Sequence, residues 1–132
     1  MISADMHFHT RYSRDAISSI RDVLKQAEDL QIGVAITDHN EIKGNLKAAG
    51  RGVLIIPGIE VTSCEGTHTL FYFDSHGDLT AFYEEKLKCA FAKNPFFADK
   101  PTEELMELGM DYNATISTPH PFAPGAPAIK HT

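Results

Sequence analysis

Residues 33–39 read Gly-Val-Ala-Ile-Thr-Asp-His, a short apolar run after a glycine that ends in two residues with reactive side chains. A short, continuously apolar run is typical of a parallel strand that is buried on both faces. Upstream, residues 20–30 carry apolar side chains at helical spacing, and Ser18 or Ser19 can cap that helix. A helix that leads into a buried strand indicates a βα unit, and in such folds reactive residues gather at the carboxyl ends of the strands.

The rest of the chain alternates between strands and helices in the same way. We predict further strands at residues 2–9, 53–56, 59–63, 69–73 and 114–118. Further helices are predicted at residues 42–49 and 79–91, and a last helix, with Thr102 as its candidate cap, ends at Gly109. This pattern predicts an α/β fold, with a parallel sheet or a βα (TIM-like) barrel, in one domain over residues 1–132. Five or six strands are too few to close such a barrel, so we expect it to be incomplete or open. An open sheet edge would allow the chain to form a homo-oligomer.

Composition limits the classes of function. The 132-residue chain has a net charge of −6, seven histidines and two distant cysteines, Cys64 and Cys89. The acidic balance disfavours nucleic acid as a partner, although bound cations would offset it locally. Two cysteines without a CxxC pair suit a reducing cytosol. Since the sequence shows neither an export signal nor an apolar run of membrane-spanning length, we expect a cytoplasmic protein without a membrane partner.

Histidines and carboxylates follow most of the predicted strands. In the first strand, Asp5, His7 and His9 alternate, so their side chains share one face, and the two imidazoles can hold one ion with Asp5 behind them. The other candidate ligands are Asp15, His39, Glu60, His68 and His120. Imidazole and carboxylate ligands without thiolate suit zinc, manganese or iron. These seven candidates, with His7 and His9 included, exceed what one tetrahedral zinc needs, so we expect more than one ion, with Glu60 as the bridge.

Each candidate has a purely structural interpretation when it is taken alone. A His-x-His on a strand is a weak signal, and Asp38 could be a helix cap beside a surface histidine. The others could be ordinary loop, strand or turn residues: Asp15, Glu60, His68 and His120. We assign no role to His76, in a predicted solvent turn at Ser75-His76-Gly77-Asp78, or to His131, beside the C-terminus. The joint placement at strand ends favours a common site, because independent structural causes do not predict it.

Taken in order, these residues resemble the motifs of the PHP (polymerase and histidinol phosphatase) superfamily. The matching segments are Asp5-x-His7-x-His9, Tyr12-Ser13-x-Asp15, Thr37-Asp38-His39, Pro57-Gly58-x-Glu60, His68 and Pro119-His120-Pro121. The resemblance implies a distorted βα barrel with two or three divalent metal ions. It also implies three ligand sets: His7, His9 and Glu60 for one ion, Glu60, His68 and His120 for a second, and Asp15 and His39 for a third.

The resemblance further implies a metal-dependent phosphoesterase that acts on a phosphorylated small molecule or a nucleotide. The family pattern ends with an Asp-x-His pair that supplies one ligand to the first ion and one to the third. No such pair follows His120 in these 132 residues. We therefore expect the sequence to be the N-terminal portion of a PHP domain, in which only the second ion keeps all its protein ligands.

The expected reaction is attack by a metal-held water or hydroxide on phosphorus, with Glu60 between the ions. Asp38 could orient His39 or accept a proton. Arg11 and Arg14 could bind phosphate bidentately, or they could be solvated loop residues. Two alternatives stay open: a non-catalytic metal-binding structural or interaction module, and a nuclease or proofreading domain that acts on nucleic-acid ends. The absence of a basic stretch interleaved with aromatic residues argues against the second.

Overall fold

The computed structural model describes residues 4–10 and 19–118. Within these residues the secondary-structure elements are, in chain order, β1 (Ala4–Phe8), α1 (Ile20–Leu30), β2 (Gly33–Ile36), α2 (Lys43–Ala48), β3 (Ile55–Ile56), β4 (Gly58–Thr62), β5 (His68–Tyr72), α3 (His76–Phe82), a π-helical segment (Tyr83–Leu87), α4 (Lys88–Ala90), α5 (Thr102–Met110) and β6 (Thr115–Ser117). None of the helices in this part of the chain is long and apolar enough to cross a membrane.

The strands form two three-stranded sheets. The first has the order β1-β2-β3 and is parallel, as predicted. The second has the order β4-β5-β6 and is antiparallel, which differs from the predicted parallel sheet. The difference arises because β4 and β5 are joined by a short turn, which permits only antiparallel pairing. One parallel bridge, between His39 and Glu60, links the two sheets, and the described strands do not close into a barrel.

The parallel sheet packs against α1. This helix begins where the sequence predicts, because the Ser19 hydroxyl accepts a hydrogen bond from the backbone N–H of Asp22 at 3.1 Å. Its buried side chains, Ile20, Val23 and Ala27, form a core with apolar residues of the sheet. This small core fixes the position of β2 and therefore of the residues that follow it.

The antiparallel sheet has a larger core of its own, under helices α3 to α5. Phe82 lies near its centre, with ring centroids 5.2 Å from Phe71, 5.4 Å from Phe73 and 5.5 Å from Tyr112. Gly109 of α5 lies directly on the Phe71 ring, since a Cβ at that position would come within 2.5 Å of Cε1. This packing sets the position of β4 and β5, which contribute Glu60 and His68.

Two helix starts differ from the predictions. Residues 75–78 are not a solvent turn, because the Ser75 hydroxyl accepts from the N–H of Asp78 at 3.0 Å and caps α3. His76 is therefore half-buried in the first turn of that helix, and burial lowers its pKa. Thr102 is not the cap of α5 but its first residue, and its N–H donates to Glu65 Oε1 at 2.8 Å.

Candidate metal centre

The candidate ligands come from four separate segments that meet where the two sheets join. His7 lies in β1, and His9 follows that strand directly. His39 comes three residues after β2, and His68 is the first residue of β5. Glu60 lies in the middle of β4, which corresponds to the strand predicted at residues 59–63, and so is not at a strand end like most of the other candidates. It reaches the end of β2 through the bridge to His39, in which the N–H of Glu60 donates to the Asp38 carbonyl at 3.1 Å.

The Glu60 carboxylate is fully buried and surrounded by imidazole nitrogens. Its Oε1 lies 3.2 Å from His7 Nε2. Its Oε2 lies 3.2 Å from His9 Nε2 and 2.7 Å from His39 Nδ1. His7 Nε2 and His9 Nε2 are only 3.0 Å apart. The carboxylate oxygens and imidazole nitrogens, which bind metal ions in their deprotonated forms, therefore converge on one point.

Two opposing effects set the protonation of Glu60. Burial raises the pKa of the carboxyl group, because a charge is poorly solvated in the interior. Hydrogen bonds and charge interactions with His39 and His9 lower that pKa by more, so it lies well below its usual range. Glu60 is therefore a carboxylate at neutral pH, which is the form that binds a cation.

The described ligands form two groups that share Glu60. One group is His7, His9 and Glu60, and the other is His39, Glu60 and His68; within each group the ligand atoms lie within 4.8 Å of one another. The imidazole rings form a continuous row, with centroid distances of 4.8 Å, 4.4 Å and 5.1 Å from His7 through His9 and His39 to His68. This donor set of imidazoles and one buried carboxylate fits zinc, manganese or iron.

The grouping bears on the ligand sets that the resemblance implied. The ligand atom of His39, which the resemblance assigns to a third set, lies within 4.8 Å of those of Glu60 and His68. The other proposed ligand of that third set, Asp15, lies outside the described residues, as do Arg11, Arg14 and His120. Their roles stay predictions.

Thr62 orients His68, one of the candidate ligands, and was not among the residues predicted to belong to the site. Thr62 and His68 are direct partners across β4 and β5, and the Thr62 hydroxyl lies 3.0 Å from His68 Nδ1. A hydrogen bond at Nδ1 fixes the ring so that metal binding would use Nε2. A signal was present in the sequence, because Glu60 and Thr62 are two residues apart and so share one face of a strand.

Asp38 is buried, and its carboxylate accepts two hydrogen bonds from Thr10. The Thr10 N–H lies 2.5 Å from Oδ1 and the Thr10 hydroxyl 2.6 Å from Oδ2. Gly44 lies so close that a Cβ there would come within 2.4 Å of Asp38 Oδ2. These hydrogen bonds join Thr10, the residue after His9, to Asp38, the residue before His39. The arrangement favours a positioning role for Asp38 over a role in proton transfer.

Comparison with known proteins identifies the family. A family model for the PHP domain matches residues 5–115, a span that contains both ligand groups. The chain belongs to the PHP domain family. The resemblance to this family that was drawn from the sequence is therefore confirmed.

Two curated relatives are similar to parts of this PHP domain. An uncharacterised protein of Methanocaldococcus jannaschii is 35% identical over a region that covers 49% of this chain and 47% of the relative. A 3',5'-nucleoside bisphosphate phosphatase of Chromobacterium violaceum is 32% identical over 53% of this chain and 26% of the relative. The matched regions thus span less than half the length of either relative.

Two solved structures resemble the fold of the PHP domain. One is a provisionally assigned metal-dependent phosphoesterase from Bifidobacterium adolescentis, with a TM-score of 0.66, 18% identity, and coverage of 99% of this chain and 71% of that chain. The other is an amidohydrolase from Chromobacterium violaceum with bound sulfate and no metal, with a TM-score of 0.50 and 28% identity. It covers 67% of this chain and 33% of that chain. The first likeness shows that the two chains share a fold.

Proposed function

We propose that this PHP domain hydrolyses phosphate esters at a centre of two or three divalent metal ions. The observation that carries the proposal is Glu60, a buried carboxylate within 3.2 Å of three imidazole nitrogens and shared by two ligand groups. When bound, divalent ions at such a centre bind phosphate oxygens, lower the pKa of an attacking water and stabilise the leaving oxygen. The family assignment and the phosphatase among the relatives support this reaction class.

The residues of the chain would divide the work between ligation and positioning. The ligands that we propose are His7, His9, Asp15, His39, Glu60, His68 and His120. Glu60 stays ionised and would contribute to more than one ion. Thr62 fixes the ring of His68, and Asp38 holds Thr10 beside His9. Arg11 and Arg14 would bind the phosphate group of the substrate as charged hydrogen-bond donors.

The proposed substrate is a phosphorylated small molecule or a nucleotide. The relative from Chromobacterium violaceum that acts on nucleoside bisphosphates supports this class. The net charge of −6 disfavours a long nucleic acid, whose binding requires many basic contacts. Zinc, manganese and iron all fit the ligand set, so the metal would be identified by reconstitution.

Turnover of a simple aryl phosphate tests the proposal. The protein is stripped with a chelator, reloaded with Mn²⁺, Zn²⁺ or Fe²⁺ separately, and assayed beside Glu60→Gln. The matched control is Glu107→Gln, which makes the same change at an exposed position of α5. We expect metal-dependent turnover that falls by more than about 100-fold in Glu60→Gln, since loss of even an indirect partner costs 10- to 100-fold, and an unchanged rate in the control. No turnover with any metal, or full turnover in Glu60→Gln, would refute the proposal.

A further inference from the structure

Two neighbouring phenylalanines lie exposed in the loop between α4 and α5. Phe96 is 46% and Phe97 44% exposed, whereas the other phenylalanines of the described core are buried. The Asn94 side chain accepts a hydrogen bond from the N–H of Phe96 at 2.9 Å and so shapes the turn before them. Adjacent exposed aromatic side chains in a shaped loop indicate a contact surface, because such apolar area is costly to leave in water.

The loop is fastened to the metal centre by Asn40, the residue after His39. The Asn40 side-chain amide donates to the carbonyl of Pro95 at 3.2 Å and to that of Phe96 at 3.0 Å. The side-chain oxygen of Asn40 accepts from the N–H of Thr62 at 2.8 Å. The Asn40 backbone has a φ of 57°, in the left-handed region that asparagine tolerates better than most residues. The side chain thus joins the phenylalanine loop to the strands that present the ligands.

A second attachment lies two residues further along the loop. The N–H of Ala98 donates to the carbonyl of Thr62 at 2.8 Å, and the hydroxyl of the same Thr62 lies 3.0 Å from His68 Nδ1. The N–H of Asn40 donates to the carbonyl of Glu60 at 2.8 Å. Backbone on both sides of the phenylalanine pair is therefore bonded to residues that adjoin or orient His39, Glu60 and His68. The backbone that carries the pair is therefore held in a fixed position relative to the metal centre.

We propose that Phe96 and Phe97 form an aromatic surface beside the metal centre that contacts the organic part of the substrate, and that this surface favours phosphoesters with a flat, apolar or aromatic group. The inference rests on the proposed function. It follows from two facts together: the exposure of the rings and the attachment of their loop to ligand-bearing strands. An aromatic face is selective for flat groups and tolerant of their hydrogen-bonding pattern, so it defines a class of leaving group.

Binding of two non-hydrolysable phosphonates to the Mn²⁺-loaded protein tests this inference without requiring turnover. Phenylphosphonate and methylphosphonate carry the same anionic group, so the ratio of their affinities cancels any effect on the metal centre. We expect calorimetry to show phenylphosphonate binding about tenfold more tightly, near the lower limit for stacking on an aromatic side chain. The Phe96→Ala/Phe97→Ala variant should bring the ratio close to one and leave methylphosphonate binding unchanged.

Two further variants separate recognition from folding. Asn40→Asp keeps the oxygen that accepts from Thr62 but loses the donors to Pro95 and Phe96, so it should lower the affinity ratio in a folded protein. Met110→Ala removes an exposed side chain at the end of α5 and should leave the ratio at the wild-type value. Equal affinities in the wild type, or a ratio that survives loss of both rings, would overturn the inference alone. Failure of the wild type to bind either phosphonate would overturn the proposed function and this inference with it.

Discussion

Replacing Thr62 with valine should weaken metal binding with little change in shape. Thr62 is only 5% exposed, and its hydroxyl makes a 3.0 Å contact with His68 Nδ1. Valine keeps the branched shape, and the backbone bonds of Thr62 to Asn40 and Ala98 are not affected by the side chain. Loss of a partner that orients a metal ligand lowers affinity by about 10- to 100-fold. That range corresponds to about 1.4–2.8 kcal/mol of binding free energy.

The matched control is Thr69→Val, one residue beyond His68 in the same strand. Thr69 is 1% exposed, and within the described part of the chain its hydroxyl forms no hydrogen bond. Removing a buried hydroxyl of this kind should be neutral or slightly stabilising. Competition with a chromophoric chelator measures the affinity of each variant for Zn²⁺ or Mn²⁺, and thermal unfolding without metal reports the stability of the fold. Wild-type affinity in Thr62→Val, or an equal loss in Thr69→Val, would refute the orienting role of Thr62.

Two further predictions concern the support of the site. Gly109→Ala would place a Cβ 2.5 Å from Phe71 Cε1, so chemical denaturation should show that the free energy of unfolding falls by about 1–3 kcal/mol. Gly77→Ala, whose Cβ would have no neighbour nearer than 3.7 Å, should not lower it. An equal loss in the two variants would contradict the close packing of Gly109 on Phe71. Hydrogen bonds from Thr102, first from its backbone N–H and then from its side chain, lower the pKa of Glu65. The Glu65 carboxylate therefore stabilises the fold at pH values above its unfolded-state pKa, and this stabilisation is lost as the pH falls through its folded-state pKa. In the chelator-treated protein, Glu65→Gln should therefore flatten the fall of Tm with acid, and an unchanged profile would count against a stabilising hydrogen bond from Thr102 to Glu65.

The convergence of the candidate ligands was predictable because it depends on two local rules. Alternation along a strand places His7 and His9 on one face, and the carboxyl ends of neighbouring parallel strands meet at one edge. Those rules are properties of short segments, so they can be applied to a sequence alone. They correctly place His39 beside the end of the first strand, since its ring centroid lies 4.4 Å from that of His9.

The features that the sequence did not predict depend on contacts between distant segments. The antiparallel pairing of β4 and β5 decides that Thr62 lies directly opposite His68. Ser75 caps α3 although its segment predicts a turn, because serine favours turns and helix caps for the same reason: its hydroxyl can bond to nearby backbone groups. Asn40 carries no sign of its role, since only the folded chain brings Pro95 and Phe96 to its amide.

Metal content per chain tests the central claim, that Glu60 is shared between two ligand groups. The wild type, His68→Gln and Glu60→Gln are saturated with Mn²⁺ or Zn²⁺, passed through a desalting column, and analysed by inductively coupled plasma mass spectrometry. The account predicts that the wild type retains the most metal, that His68→Gln loses only the ion of its own group, and that Glu60→Gln retains the least. Equal metal content in Glu60→Gln and the wild type, or a larger loss in His68→Gln than in Glu60→Gln, would contradict it.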